Sequence, residues 1–189
     1  MREKGSIKLI KKHLGITPEF VLDPTLLIDK KDYLDLIKNY IKNKIEDFIF
    51  VYTFTGLNQY LPIRRYLRRI KRQLNYKIYE YPLNNNSILE NFIYNISNCK
   101  AVVTFSFHGT VLSIIFNKPF VSFNLDNGNE RLKSLGRLFG VENRIFKREG
   151  KPDIKLLITP LNINYSIIKY LRKKSFNFIK KSLDKIKTS

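Results

Sequence analysis

The chain has 189 residues, of which 43% are hydrophobic, and this is enough for one domain with a substantial core. A single cysteine, Cys99, excludes a disulfide framework and a zinc site built from several cysteines, and it fits a reducing compartment. No apolar run approaches the roughly 18 residues of a bilayer span, and the amino terminus lacks an apolar signal-peptide core. We therefore expect a cytoplasmic protein.

The charge is unusually positive. Lys and Arg total 35 against 16 Asp and Glu, a formal net charge of +19. Three interpretations fit: nucleic-acid binding, attachment to an anionic membrane surface, or solvated helix faces in a lysine-rich sequence. The third is favoured slightly, because an anionic substrate would need only a few of these charges.

Short apolar runs alternate with longer amphipathic stretches along the chain. In chain order, the pattern predicts a strand at 20–22, a helix at 32–44, a strand at 47–54, a helix within 57–75, a strand at 76–81, a helix at 86–98, a strand at 100–104, a helix at 109–116, a strand at 119–123, a helix at 129–139 and a long helix at 162–187. Strands that alternate with helices at this spacing indicate an α/β fold, a doubly wound and mostly parallel sheet. No linker divides residues 1–189.

The junction between the predicted strand at 100–104 and the next helix carries the candidate chemistry. Ligands of such sheets bind where strands end and helices begin, and a helix amino terminus attracts anions. His108 suits acid–base work, and Gly109 lets a ligand approach the backbone. Ser106 and Thr110 add hydroxyls, and Lys118 adds a cation. The alternative is that the same residues only form a tight turn.

Four segments in order resemble the polysaccharide pyruvyl transferase family. VVTFSFHGTVLSIIFNKPF at 102–120 resembles the family signature, and Arg2-Glu3-Lys4 resembles its R-E-K motif. FVLDPTLL at 20–27 and NERLKSLGRLFGVENR at 129–144 resemble two further family segments. The resemblance covers about residues 2–146. Phe105 departs from it, because many relatives carry a small or polar residue there.

The resemblance implies a transferase that moves a pyruvyl group from phosphoenolpyruvate onto two sugar hydroxyls, as a cyclic ketal on a cell-surface polysaccharide. It implies His108 as the catalytic residue, which protonates the donor or binds its phosphate. Arg2, Lys118 and Arg131 become candidate anion clamps, with Ser106, Gly109 and Thr110 as further substrate-binding residues. No metal and no cofactor are required. Cys99 is assigned to the core.

The resemblance also implies a Rossmann-like fold similar to the carboxyl-terminal domain of two-domain GT-B-type glycosyltransferases. The family's amino-terminal domain is then expected to be absent, because Met1 directly precedes Arg2. We expect weak donor binding, and poor transfer unless an amino-terminal half is supplied. The apolar patch that such a half would cover is expected to make the isolated chain oligomeric or poorly soluble. The acceptor would be a saccharide. If that saccharide is linked to a lipid, the protein would work at the inner face of the membrane.

Three other functions stay open. A truncated, non-catalytic remnant would keep the fold without the reaction. A basic nucleic-acid-binding module would use the arginines and lysines of the helix at 57–75, although no nucleic-acid motif accompanies them. A general glycosyltransferase shares the fold class, but elements that recognise a base and a ribose are not found. The sequence names neither the acceptor sugar nor its linkage.

Overall fold

The computed structural model describes residues 4–40, 47–53, 61–81, 89–124 and 130–187. Within them, five parallel strands form one sheet in the order β2-β1-β3-β4-β5. The strands are β1 (Phe48–Tyr52), β2 (Lys77–Glu80), β3 (Ala101–Thr104), β4 (Phe120–Asn124) and β5 (Ile145–Lys147). Ile49 pairs with Ala101, so the runs at 47–54 and 100–104 are neighbouring strands, as predicted.

Eight α-helices surround the sheet in the described part of the chain. They are α1 (Lys4–Leu14), α2 (Pro24–Leu27), α3 (Lys30–Leu36), α4 (Leu61–Gln73), α5 (Leu89–Asn98), α6 (Phe107–Ile115), α7 (Glu130–Phe139) and α8 (Tyr165–Lys187). Two 3-10 turns follow α7, at Glu142–Arg144 and Ile154–Leu157. None of the described helices is long and apolar enough to cross a membrane.

Apolar side chains cover both faces of the sheet, which confirms the predicted doubly wound α/β fold. One face, with Phe50 and Val102, packs against α5, α6, α7 and the first half of α8. The opposite face, with Val51 and Val103, packs against α4 and the turn at Ile154–Leu157. The three central strands, β1, β3 and β4, are mostly apolar because both of their faces are buried, and each fully buried Ile or Phe contributes about 1.5–3 kcal/mol.

The crevice between β1 and β3 is the point where the connections diverge. The helix after β1, α4, lies on one face of the sheet, whereas the helix after β3, α6, lies on the other. Open parallel sheets bind ligands at the carboxyl ends of two such strands. The ends of β1 and β3 are joined there by a hydrogen bond of 2.9 Å, which the Thr104 hydroxyl donates to the Tyr52 carbonyl.

Several features of the fold differ from the sequence-based prediction, among them the helix predicted at 32–44, since α3 starts at Lys30 and already ends at Leu36. The run at 20–22 is not a strand, because a side chain of α8 takes the place of a neighbouring strand: the Leu22 amide donates to the Ser175 hydroxyl at 3.0 Å. β5 was not predicted, since a three-residue strand has too short an apolar run. Helices α1 and α2 were also not predicted, and the long helix begins at Tyr165, three residues after the predicted start.

Candidate functional site

The turn from β3 into α6 is built from buried hydroxyls. The Ser106 side chain caps α6 by accepting a hydrogen bond of 3.2 Å from the Gly109 amide. The Thr104 hydroxyl accepts one of 3.0 Å from the Ser106 amide. A Cβ at position 109 would lie 2.7 Å from the Thr104 Oγ1, so this position requires glycine. The turn therefore fixes the backbone that presents His108.

His108 lies in the first turn of α6, at the carboxyl edge of the sheet. Its side chain is 52% exposed, and its Nε2 atom is 4.0 Å from the Oδ1 atom of Asp23. The Phe107 ring lies beside the imidazole, with centroids 5.5 Å apart in an edge-on arrangement. The histidine is thus accessible from solvent while one nitrogen faces a buried carboxylate.

Arg131 of α7 approaches the same carboxylate from its other side. A guanidinium nitrogen lies 3.6 Å from the Oδ2 atom of Asp23, and the guanidinium carbon lies 4.2 Å from the centroid of the Phe107 ring. The ring face and the carboxylate orient the guanidinium. Its side chain remains 37% exposed, so His108 and Arg131 present a general acid–base group and a cation side by side.

Asp23 connects these two residues, and the sequence analysis did not include it among the site residues. Its side chain is 4% exposed and caps α2, where it accepts hydrogen bonds of 3.1 Å from the Thr25 amide and 2.7 Å from the Thr25 hydroxyl. Asp23 lies inside the FVLDPTLL segment, so the signal that could have identified it was present. An Asp directly before Pro reads first as a helix cap, which conceals a second role.

Helix α8 holds the Asp23 segment against the body of the protein. Arg172 donates hydrogen bonds of 2.6 Å to the carbonyls of Leu26 and of Ile28, and it forms an ion pair of 2.8 Å with Asp29. The hydrogen bond from Arg172 lowers the pKa of the Asp29 carboxyl below its ordinary value. The position of the Asp23 carboxylate therefore depends on contacts between its own segment and helix α8.

Ser106, Gly109 and Thr110 lie in the predicted turn, and all three are buried. The Thr110 hydroxyl donates to the Ser106 carbonyl at 2.9 Å and lies 2.8 Å from the Ser122 hydroxyl. These contacts give Ser106 and Thr110 a structural part in the junction. Their direct contact with a substrate stays a prediction.

Lys118 lies at the opposite edge of the sheet, so the prediction that it converges with His108 and Arg131 on one cleft is wrong. Helix α6 starts at the carboxyl edge and runs back to the amino edge, and Lys118 follows it, just before β4. There it borders a surface cavity of about 810 Å³, together with Asp47, Cys99 and Lys100. Burial lowers the pKa of the Lys118 ammonium group.

Arg2, the remaining predicted anion clamp, lies outside the described residues. In the motif at 129–144, Arg144 is 5% exposed and donates to four backbone carbonyls, at 2.5 Å to Leu156, 2.9 Å to Thr159, 3.2 Å to Pro160 and 3.4 Å to Phe120. It therefore fastens the turn after α7. The described ranges contain no cluster of three His, Cys, Asp or Glu side chains that could hold a metal ion.

Comparison with known proteins adds one finding. The family model described as polysaccharide pyruvyl transferase matches residues 1–127, which is more than half of the chain and includes Asp23 and His108. Neither a search of curated proteins nor a search of solved structures returns a match. The matched range contains the strand, the capped turn and the histidine at the junction of β3 and α6. On this evidence the chain belongs to the polysaccharide pyruvyl transferase family.

Proposed function

We propose that this protein takes a pyruvyl group from phosphoenolpyruvate and transfers it to two hydroxyls of a saccharide, as a cyclic ketal. One observation carries the proposal: His108 and Arg131 flank the buried Asp23 carboxylate at the amino end of α6. Phosphoenolpyruvate has a carboxylate and a phosphate, and helix amino termini and guanidinium groups are suited to binding both. The family membership supplies the reaction class and the saccharide acceptor.

In this mechanism His108 gives a proton to the methylene carbon of the donor, and the central carbon becomes electrophilic. One sugar hydroxyl adds to that carbon and loses its proton, and the C–O bond to phosphate breaks. The second hydroxyl then closes the ketal ring; one hydroxyl proton restores His108 and the other leaves with the phosphate. Arg131 and the positive amino end of α6 stabilise the charge on the departing phosphate. Asp23 orients the imidazole of His108, as a carboxylate does beside a catalytic histidine.

The first experiment is calorimetric titration of the full chain with phosphoenolpyruvate. We expect Arg131→Ala to weaken binding about tenfold or more, since a charge-assisted hydrogen bond contributes about 1.5–3 kcal/mol. Arg137→Ala is the matched control on the same helix, because Arg137 is 61% exposed and pairs with Glu130. Equal loss in both variants would remove Arg131 from the donor site.

Transfer is tested by phosphate release and by mass spectrometry of a panel of saccharides incubated with the donor and the chain, both alone and with a separately supplied amino-terminal half. We expect His108→Ala to abolish transfer. We expect His13→Ala, at the other histidine of the chain, to leave transfer unchanged. Full activity of the His108 variant would contradict its role. Tight binding of single-stranded or duplex nucleic acid at physiological salt, without binding of phosphoenolpyruvate, would contradict the transferase proposal itself.

A further inference from the structure

The second half of α8 exposes a row of large apolar side chains. Phe176, Ile179, Leu183 and Ile186 are between 37% and 71% exposed, and Phe178 beside them is 43% exposed. The first half of the helix behaves differently, because Ile168, Leu171 and Ser175 are buried. The first half of α8 therefore packs against the body of the protein, whereas the second half extends from it with apolar side chains exposed to solvent.

The exposed apolar residues occupy one side of the helix. At about 100° per residue, positions 176, 178, 179, 183 and 186 fall within an arc of about 160°. The polar side holds the charges: residues 173–186 contain five lysines and one aspartate, at Lys173, Lys174, Lys180, Lys181, Lys185 and Asp184. Lys180 and Lys185 lie next to the borders of the apolar arc. This is the pattern of a helix that lies in a membrane interface, with lysines that extend their charge to the headgroups.

We propose that the segment 176–186 of α8 docks on an anionic lipid surface, with its apolar row in the acyl boundary and its lysines at the headgroups. Charge complementarity favours this occupant, because the segment has three lysines against one aspartate and the whole chain has a formal net charge of +19. Each lysine near such a surface contributes about 1 kcal/mol, which is roughly a fivefold gain in partitioning.

A second copy of the chain fits the same row less well. Two α8 helices packed through it would bring lysines near the borders of both arcs together, and like charges at such positions destabilise helix pairs. A stable interface also buries about 800 Å² per partner, and a row of about three helical turns is short of that. Charge and area thus both favour a lipid surface.

Vesicle flotation of the full chain tests the proposal without any measurement of pyruvyl transfer, so it stands or falls independently of the proposed function. The vesicles are phosphatidylcholine alone, and phosphatidylcholine with about one third phosphatidylserine. We expect at least tenfold stronger partitioning onto the anionic vesicles, and a decrease as salt is raised. Equal partitioning onto both kinds of vesicle, or none, would overturn the proposal.

Paired variants separate the apolar and the charged contributions. We expect Ile179→Asp with Leu183→Asp, and separately Lys180→Glu with Lys181→Glu, each to reduce partitioning about tenfold or more. The control for the apolar pair is Leu9→Asp, at a similarly exposed leucine of α1, and the control for the lysine pair is Arg64→Glu with Arg65→Glu on α4. Both controls should change partitioning much less. Unchanged thermal unfolding verifies the fold, because all these side chains are exposed. If the double variant Ile179→Asp with Leu183→Asp converts a dimer into a monomer but still binds vesicles, the apolar row contacts a second copy of the chain and not a lipid surface.

Discussion

Gly109 is the residue that ties the candidate site most closely to the sheet. The turn brings its α-carbon so near to Thr104 that a Cβ would lie 2.7 Å from the Thr104 Oγ1 and 3.3 Å from the Thr104 Cβ. Thr104 cannot move away easily, because its hydroxyl is bonded to the Tyr52 carbonyl and to the Ser106 amide. The backbone of His108 thus depends on a contact that only glycine allows.

Gly109→Ala should lower the free energy of unfolding by about 1–3 kcal/mol, the usual cost of overpacking a buried position. Urea denaturation followed by circular dichroism measures the change. Gly136→Ala is the control: there the nearest atom to a new Cβ is the Ile145 Cδ1 at 2.9 Å, the flexible end of a side chain that can rotate away. Gly109→Ala that is no less stable than Gly136→Ala would contradict the close approach.

At the scale of elements, the sequence predicts those strands that are recognisable from their own composition. β1, β3 and β4 are dense runs of β-branched and aromatic residues, and their buried environment explains the pattern. The run at 20–22 has the same composition, but it pairs with the Ser175 side chain and not with a strand. Composition reports burial, and it does not report which partner the backbone finds.

The residues of the candidate site also fall into two groups, those that are neighbours in sequence and those that only tertiary contacts bring together. His108, Gly109 and Ser106 are local to one junction, so a single segment of sequence places them together. Asp23 joins them only through tertiary contacts, and its own segment, FVLDPTLL, does not show which other segment it approaches. Lys118 belongs to the same motif as His108, but the nine residues of α6 carry the chain to the other edge of the sheet. Proximity in a motif is therefore not proximity in space.

Arg172→Met should loosen α2 and α8 from each other and lower the free energy of unfolding by about 1–2 kcal/mol, because the part-buried Leu26 carbonyl and the exposed Ile28 carbonyl lose their charged donor. Lys173→Met, at an exposed neighbour on α8, is the control. Urea denaturation at pH 7 measures both variants. A similar small loss in both would show that Arg172 does not clasp the α2 segment.

The pH dependence gives a second readout of the same contact. The pKa of Asp29 is lowered in the folded state, so its contribution to stability is present above the ordinary carboxyl range and is lost as the pH falls through the folded pKa. The loss below about pH 4 should be shallower in Arg172→Met than in the wild-type chain. The contribution is small, because the Asp29 side chain is 69% exposed.

For the molecule as a whole, stability should decline in alkali. Burial raises the pKa of the Cys99 thiol to about 12, and it also raises the pKa values of Tyr33, Tyr52 and Tyr165. A raised pKa means that the unfolded chain releases its proton first. The stabilising contribution of Cys99 is therefore complete below about pH 8.5 and is lost as the pH rises toward 12, and the tyrosines add to the loss from about pH 10.

The variant Cys99→Ala isolates the contribution of the thiol to the loss of stability in alkali. We expect the wild-type chain to lose about 1.5 kcal/mol more than the variant between pH 8.5 and 10, because the slope for one titrating group rises toward its maximum of about 1.4 kcal/mol per pH unit over this range. The comparison is needed because the pKa of the nearby Lys118 is lowered by burial, an effect of the opposite sign. Parallel urea midpoints for the two chains over this range would disprove the assignment.

The bond between the Leu22 amide and the Ser175 hydroxyl spans 153 positions of sequence, and this distance has a consequence for synthesis. A ribosome makes Asp23 early, but the helix that holds the segment around it is made about 150 residues later. A nascent chain that has released residues up to about 124 can pair β1 with β3 and form the turn that bears His108. It cannot yet clamp Asp23 beside that histidine. The candidate site is therefore assembled only once α8 has been made, after the sheet that carries most of it.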